Sequence, residues 1–127
     1  MKSLKILIID DSESMRFIIQ EILSNNDHEV LTACSGEEGL LILKQHSDID
    51  LILTDRRMPG GMLGEEVVRR AKLMRPELKI VLMSSDDPQE ILPVAKAAGA
   101  DKFLDKNNLF AETSRLIGEF FPASLPP

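Results

Sequence analysis

Short apolar runs alternate along the chain with longer stretches in which apolar residues recur every three or four positions. This alternation is typical of strand–helix units built on a parallel sheet. The runs at 6–9 and 51–53 are apolar at every position, as expected of central strands that helices cover on both faces. The predicted strands are 5–9, 29–33, 51–54, 80–83 and 102–104. The pattern therefore predicts an α/β fold of five parallel strands, each followed by a helix.

The helical stretches carry start and stop signals. A capping-box sequence at 35–38 (SGEE) predicts reciprocal hydrogen bonds at the start of the second helix. The third helix is expected to end at Arg75, before a proline, and the fourth at Gly99. Pro93 predicts either that the fourth helix begins near Leu92 or that it is kinked. The predicted buried stripes are Met15, Ile18, Ile19, Ile22 and Leu23 in the first helix, and Leu109, Thr113, Leu116, Ile117 and Phe120 in the last.

Length and composition narrow the class of protein. The 127 residues suit one domain, expected over 1–121, followed by a proline-rich tail or linker stub at 122–127. A formal net charge of −6 argues against direct nucleic-acid binding, which normally needs a basic surface. No apolar run approaches the ~18 residues of a membrane span, so no membrane association is expected. The single cysteine, Cys34, excludes an internal disulfide and fits a reducing, cytoplasmic location.

Polar residues end four of the predicted strands. Asp10 and Asp11 follow the first strand, Asp55 the third and Ser84 the fourth, and Lys106 comes just past the fifth. Because right-handed crossovers bring the carboxyl ends of parallel strands to one edge of the sheet, these side chains should converge. Hard carboxylate oxygens suit Mg²⁺ or Mn²⁺, and Asp55 can act as a nucleophile that forms an acyl phosphate. The ammonium and the hydroxyl can neutralise phosphoryl oxygens.

Four sequence motifs resemble those of response-regulator receiver domains. They are 8–12 (IIDDS), 55–59 (DRRMP), 83–85 (MSS) and 99–106 (GADKFLDK), in the family's order and spacing. The resemblance runs from about Leu4 to Phe120, nearly the whole chain. It implies a flavodoxin-like, doubly wound (βα)5 fold with strand order 2-1-3-4-5. It also implies a phosphorylation-dependent switch of a two-component system, which changes the surface that an unknown partner or output domain reads.

The same resemblance implies a phosphoacceptor and a metal site. Asp55 would accept a phosphoryl group from the phosphohistidine of a sensor kinase or phosphotransfer protein. Asp11 and Asp55, with the backbone carbonyl of Arg57, would ligate Mg²⁺ directly, and Asp10 would act mainly through metal-bound water. Any enzymatic activity would be limited to self-phosphorylation and autodephosphorylation, with no external metabolic substrate.

Other positions would bind the phosphoryl group or respond to it. By resemblance, Ser84 and Lys106 would each bind a phosphoryl oxygen, and Phe103 would be an aromatic switch whose rotamer follows Ser84. Arg57 and Asp86 would flank the path of the attacking water and modulate the rate of hydrolysis. Since their charges are opposite, we predict that these two side chains pair and partly cover the acceptor.

Several positions depart from the family pattern. Asn107 stands where the family usually has a proline with a cis bond, and we predict a trans bond because a non-proline cis bond costs ~2.5–4 kcal/mol. The turn at 60–64 (GGMLG) is one residue longer than usual, with Leu63 in place of an aspartate. Phe103 lacks the hydroxyl of the tyrosine found in many relatives. No ligand is assigned to Arg56, which is expected on a solvated face.

Two other functions stay open. A degenerate receiver would keep the fold and bind a protein partner without taking phosphate. The departures at Asn107 and 60–61 keep this alternative open, and the complete set of site residues argues against it: Asp10, Asp11, Asp55, Ser84 and Lys106. A metal-dependent phosphohydrolase could use an aspartyl nucleophile on a similar sheet, but 127 residues leave little room for a cap over an external substrate. Labelling by acetyl phosphate with Mg²⁺ separates the three functions.

Overall fold

The fold is a five-stranded parallel sheet with helices on both faces, in a computed structural model that describes residues 3–24 and 27–122. The elements are β1 (Lys5–Ile9), α1 (Glu13–Ser24), β2 (Glu29–Ala33), α2 (Gly36–Gln45), β3 (Leu51–Asp55), α3 (Gly64–Met74), β4 (Lys79–Ser84), α4 (Pro88–Ala98), β5 (Lys102–Asp105) and α5 (Leu109–Phe120). The strands lie in the order β2-β1-β3-β4-β5, and a 3₁₀ turn at Lys106–Asn108 joins β5 to α5. The α/β class and the predicted strand order are both confirmed.

Two apolar layers, one on each face of the sheet, hold the helices. Because side chains alternate along a strand, Leu7 and Ile9 of β1 face one layer, and Ile6 and Ile8 face the other. Helices α2, α3 and α4 cover the first layer, and α1 and α5 cover the second. Burying one such aliphatic side chain stabilises the fold by ~1.5–3 kcal/mol. The central strands therefore form a fixed base for the loops at the sheet edge.

The buried stripe of α1 is narrower than predicted. Ile19, Ile22 and Leu23 are buried, Met15 is half-buried, and Ile18 is 45% exposed. A helix that packs on a sheet buries only the side facing the strands, and one residue further round the helix already faces solvent. Including Ile18 in the buried stripe was therefore wrong.

The fourth helix does not begin near Leu92, which was one of the two predictions made from Pro93. It starts at Pro88 rather than near Leu92, because the side chain of Asp87 caps it by accepting a hydrogen bond from the Gln89 N–H at 3.0 Å. A proline suits the first turn, where its missing N–H has no helical partner anyway. Pro93 consequently lies inside the helix, where it lacks the N–H that would reach the Gln89 carbonyl.

The other helix boundaries follow the predicted signals. The Ser35 hydroxyl accepts from the Glu38 N–H at 3.1 Å, while the Glu38 carboxylate accepts from the Cys34 N–H at 3.2 Å instead of closing back on Ser35. Arg75 caps the end of α3. Gly99 ends α4 with a φ of 96°, a conformation that glycine adopts without steric cost.

The last helix ends one residue before the predicted domain boundary at 121. Most of the predicted proline-rich tail, residues 123–127, lies outside the described residues. Within 3–24 and 27–122, the structure contains no helix with the length and apolar character needed to cross a membrane.

Candidate functional site

The sheet brings the predicted site residues together at its carboxyl edge. Strands β3 and β4 each run one residue further than predicted, so Asp55 and Ser84 are the last residues of their strands. Asp10 and Asp55 each come directly after a pair of neighbouring strand residues, Ile9 and Thr54. Lys106 comes directly after Asp105, the partner of Ser84. The convergence expected from the parallel topology is therefore present.

Three carboxylates form the centre of the site. Asp10, Asp11 and Asp55 each offer an oxygen, and these oxygens all lie within 4.8 Å of one another. Asp10 and Asp55 are buried, whereas Asp11 is exposed. Asp10 is held in place because its Oδ1 accepts from the Ser12 N–H at 3.0 Å and its carbonyl oxygen accepts from Arg16 Nη1 at 2.7 Å. The cluster is thus closed on the Asp10 side and open to solvent at Asp11.

The ammonium of Lys106 lies between two of these carboxylates. Its Nζ donates to Asp10 Oδ2 at 2.7 Å and to Asp55 Oδ1 at 3.2 Å, and the side chain is only 8% exposed. Burial lowers the pKa of Lys106, but the hydrogen bonds and negative charges of Asp10 and Asp55 together outweigh burial, and the pKa is raised overall. Lys106 is therefore an ammonium at neutral pH, placed to pair with the oxygens of an anion.

The charge of Asp55 is only partly compensated. Burial raises the pKa of Asp55 and the neighbouring charge of Asp10 raises it further, while Lys106 opposes both effects without cancelling them. Since Asp11 adds a third carboxylate to a cluster that Lys106 alone cannot neutralise, a second cation would relieve the repulsion. Closely spaced hard oxygens of this kind are the donors that Mg²⁺ prefers.

Asn107 holds the turn that carries Lys106. The Lys106–Asn107 peptide bond is trans, as predicted, since the described residues contain no cis bond. Asp105 Oδ1 accepts from the Asn107 N–H at 3.0 Å, and Asn107 Nδ2 donates to the carbonyl of Ser85 at 3.0 Å. The Asn107 amide thus ties the turn after β5 to the loop after β4. The sequence did not predict this role, because Asn107 was noted there only as a residue that replaces the family's proline.

Ser84 and Phe103 lie on neighbouring strands. Ser84 is a buried residue, and its hydroxyl oxygen accepts from the Asp86 N–H at 3.0 Å, which leaves the hydroxyl hydrogen to be donated to another group. Phe103 pairs with Leu82 in the sheet, is half-buried, and packs against the apolar layer beneath α2, α3 and α4. The exchange of Phe103 rotamers with movement of Ser84 stays a prediction.

Two arginines next to the acceptor converge on Asp86. The predicted pair is present and direct, with Arg57 Nε donating to Asp86 Oδ2 at 3.1 Å, although the Arg57 side chain is 71% exposed. The prediction for Arg56 was wrong, because its side chain is only 17% exposed and lies between Glu65, at 3.2 Å, and Asp86, at 3.7 Å. Both 56–57 and 69–70 are pairs of arginines, and the second pair is exposed. Nothing in the sequence therefore indicated that Arg56 is mostly buried.

The long loop between β3 and α3 returns against the acceptor strand. The Gly64 N–H donates to the Arg56 carbonyl at 2.7 Å, and a Cβ on Gly64 would lie 2.1 Å from the carbonyl oxygen of Asp55. Only glycine fits so close to backbone. Two residues earlier in the loop, the Met62 N–H donates to Glu37 Oε1 at 2.9 Å. The end of this loop therefore packs directly against the backbone of the acceptor strand.

Comparison with known proteins gives a consistent family. The model of the response regulator receiver domain matches residues 6–117. The two-component response regulator ORR3 of Oryza sativa subsp. indica is 32% identical over 113 residues, covering 87% of this chain and 86% of that protein. The sensory/regulatory protein RpfC of Xanthomonas campestris pv. campestris is 30% identical over 115 residues, which are 87% of this chain but 16% of that protein.

A solved structure extends the likeness to three dimensions. The response regulator TrrA of Thermotoga maritima, in complex with Mg²⁺-BeF, has a TM-score of 0.82 at 27% identity, covering 93% of this chain and 99% of that one. The family match spans the region that carries the carboxylate cluster, Ser84 and Lys106. The chain belongs to the response regulator receiver domain family of two-component systems.

Proposed function

We propose that this receiver domain is a phosphorylation-dependent switch in which Asp55 accepts a phosphoryl group from a phosphohistidine. The observation that supports it most is the Lys106 ammonium, held 2.7 Å from Asp10 and 3.2 Å from Asp55 at the open edge of the sheet. In the transfer, an Asp55 carboxylate oxygen forms a bond to phosphorus as the phosphorus–nitrogen bond breaks. The imidazole of the donor leaves with the electron pair and takes up a proton.

The carboxylate cluster fits a divalent metal ion. Its three oxygens within 4.8 Å include one on the exposed Asp11, so an ion can enter and keep several waters. Asp11, Asp55 and the backbone carbonyl of Arg57 would hold Mg²⁺, or Mn²⁺, directly, and Asp10 would act through water. When bound, the ion supplies positive charge beside the carboxylates and the phosphoryl oxygens. TrrA, a structural neighbour of this chain, was solved in complex with Mg²⁺-BeF, which supports a Mg²⁺ ion in this fold.

Protein groups would stabilise the remaining phosphoryl oxygens. Lys106 would pair with one oxygen without leaving its place beside Asp10, and the Ser84 hydroxyl would donate to another. Because Ser84 accepts from the Asp86 N–H, a shift of Ser84 would also move the loop after β4. Phe103, on the adjoining strand, would change rotamer with that shift and alter the surface that a partner reads.

The donor and the reader of the switch belong to the proposal as well. A sensor histidine kinase or a phosphotransfer protein would supply the phosphoryl group, and a separate partner or output domain would recognise the phosphorylated surface. A cytoplasmic location is part of the same proposal and rests on the composition and the single cysteine. The net charge of −6 makes direct nucleic-acid binding by residues 1–121 unexpected.

The decisive experiment is incubation with acetyl phosphate and Mg²⁺, followed by intact mass spectrometry. The expected result is one labile phosphoryl group on the wild type and none on folded Asp55→Asn, which keeps the side-chain volume but lacks the nucleophilic oxygen. An unlabelled wild type would support the degenerate, partner-binding module. Rapid turnover of varied phosphomonoesters would instead favour a phosphohydrolase, and labelling of Asp55→Asn would mean that another residue is the acceptor.

A further inference from the structure

Arg56 follows the proposed acceptor directly, and its backbone is fixed on both sides. Its N–H donates to the Met83 carbonyl at 3.0 Å, and its own carbonyl accepts from the Gly64 N–H at 2.7 Å. These bonds tie Arg56 to β4 and to the start of α3. Its side chain consequently leaves the backbone in a defined direction, toward the loop after β4.

The guanidinium of Arg56 bridges two carboxylates from different elements. Nη2 lies 3.2 Å from Glu65 Oε2 in the first turn of α3, and Nη1 lies 3.7 Å from Asp86 Oδ2 in the loop after β4. The Arg56 and Glu65 side chains are only 17% and 23% exposed, so solvent screens this contact less than it screens an ordinary surface pair. Arg56 is therefore anchored on the Glu65 side and reaches out on the Asp86 side.

The guanidinium of Arg56 meets the Glu65 carboxylate end-on, through one terminal nitrogen, rather than side-on. Arg56 Nε and Glu65 Oε1 are both buried and have no hydrogen-bond partner among the described residues. A side-on arrangement, with two parallel hydrogen bonds, is the usual geometry of a strong arginine–carboxylate pair. Here the guanidinium is turned instead so that its second terminal nitrogen faces Asp86.

Asp86 connects this bridge to the phosphorylation site. Its Oδ2 is the same atom that accepts from Arg57 Nε at 3.1 Å, so both arginines converge on one oxygen. Its backbone N–H donates to the Ser84 hydroxyl at 3.0 Å. The position of Asp86 therefore governs both the side chain expected to cover Asp55 and the hydroxyl expected to bind the phosphoryl group.

We propose that Arg56 is a positioning residue that holds Asp86 over the site and thereby sets how long Asp55 stays phosphorylated. The inference rests on the proposed function, since it needs an acyl phosphate at Asp55. Arg57 is too exposed to hold Asp86 by itself, because an exposed ion pair is readily exchanged with water. Arg56 is mostly buried and is held by Glu65, so it contacts Asp86 from the less exposed side. Loss of Arg56 frees the loop, uncovers the acyl phosphate and speeds its hydrolysis.

The test measures decay of the phosphorylated full chain after acetyl phosphate has been removed. Arg56→Gln and Glu65→Gln should each raise the hydrolysis rate about threefold. Glu66→Gln is the matched control, because Glu66 is the neighbour of Glu65 but pairs with Arg69 and Arg70, and it should leave the rate unchanged. Arg56→Lys should give an intermediate rate, because one ammonium cannot span both carboxylates.

A double-variant cycle separates positioning from general stability. In an Asp86→Ala background, Arg56→Gln should have no further effect, since the residue that it positions is gone. Multiplicative effects in the double variant, or wild-type decay in Arg56→Gln and Glu65→Gln, would overturn the inference. A lower thermal midpoint with unchanged decay would mean that Arg56 is merely structural. A wild type that takes no phosphoryl group at all would overturn the proposed function and this inference together.

Discussion

Two clusters of three charged groups have opposite arrangements of charge, one with a cation between two anions and the other with an anion between two cations. At the sheet edge, the ammonium of Lys106 is shared by the carboxylates of Asp10 and Asp55. On α3, the carboxylate of Glu66 is shared by the guanidinium groups of Arg69 and Arg70. The first cluster is buried at the end of the central strands, and the second is largely exposed on a helix.

Burial decides what each cluster can do. The excess charge of the α3 cluster is dispersed by solvent, and such exposed pairs contribute little to stability. Solvent does not screen the excess negative charge at the sheet edge in the same way. Burial and the charge of Asp10 raise the pKa of Asp55, and Lys106 offsets only part of that rise. A buried cluster left short of one cation is poorly suited to stabilising a fold and well suited to binding a metal ion and a phosphoryl group.

Removal of the central cation of the sheet-edge cluster should distinguish the two clusters by the largest effect. Lys106→Met leaves Asp10 and Asp55 buried beside each other without a cation, and should lower the free energy of unfolding by about 2 kcal/mol in metal-free buffer. The cost stays below that of a fully closed ion pair because Asp55 can take up a proton. Arg70→Met, which removes one exposed cation, should leave that free energy nearly unchanged. Urea denaturation of the two variants and wild type measures both, and equal effects would contradict the distinction.

Addition of a divalent metal ion should have the next largest effect, and only on the sheet-edge cluster. Mg²⁺ at ten times its dissociation constant should stabilise the wild type by ~1.4 kcal/mol, because it binds the folded cluster and not the unfolded chain. The thermal midpoint should rise with millimolar Mg²⁺, and this response should be lost in Asp11→Asn and kept in Glu66→Gln. If Asp11→Asn responds as the wild type does, the metal is bound elsewhere.

The sheet-edge cluster was predictable from the sequence, and the reason is topological. Parallel strands joined by right-handed crossovers must end at one edge, so polar residues that follow apolar runs must meet there. Asp10, Asp55 and Lys106 could therefore be placed together without coordinates. The contact between Arg57 and Asp86 was predicted from the positions that the family resemblance singles out, together with their opposite charges. The same periodicity gave all five strands to within one residue at their carboxyl ends.

Features that depend on packing between elements were beyond the sequence. The burial of Arg56 results from the return of the loop at Gly64, and nothing in the doublet 56–57 distinguishes it from the doublet 69–70. Exposure of Ile18 depends on how α1 is rotated on the sheet, which a periodic pattern fixes only to about one residue. The bond from Asn107 to Ser85 joins two loops that are adjacent only in the folded chain.

The smallest expected effect is a difference in how stability depends on pH. Burial and Asp10 raise the pKa of Asp55 in the folded state above its unfolded value near 3.8. Between these two values the folded state binds more protons, so the stability contributed by this group falls as pH rises. Asp55→Asn has no carboxylate at this position and does not lose stability in this way as pH rises. It should therefore be more stable than the wild type at pH 7, and the difference in stability should shrink as the pH approaches 4.

Glu66 should behave in the opposite way. Hydrogen bonds from Arg69 and then Arg70 lower the pKa of Glu66 from 4.5 to about 2, so its contribution to stability is present above pH 4.5 and disappears as pH falls toward 2. Solvent reduces that contribution, and Glu66→Gln should fall only slightly below the wild type at pH 7. Thermal unfolding in chelator from pH 4 to pH 7 compares the two variants. Their stability differences from the wild type should have opposite signs at pH 7, and a shared sign would mean that burial does not separate the two clusters.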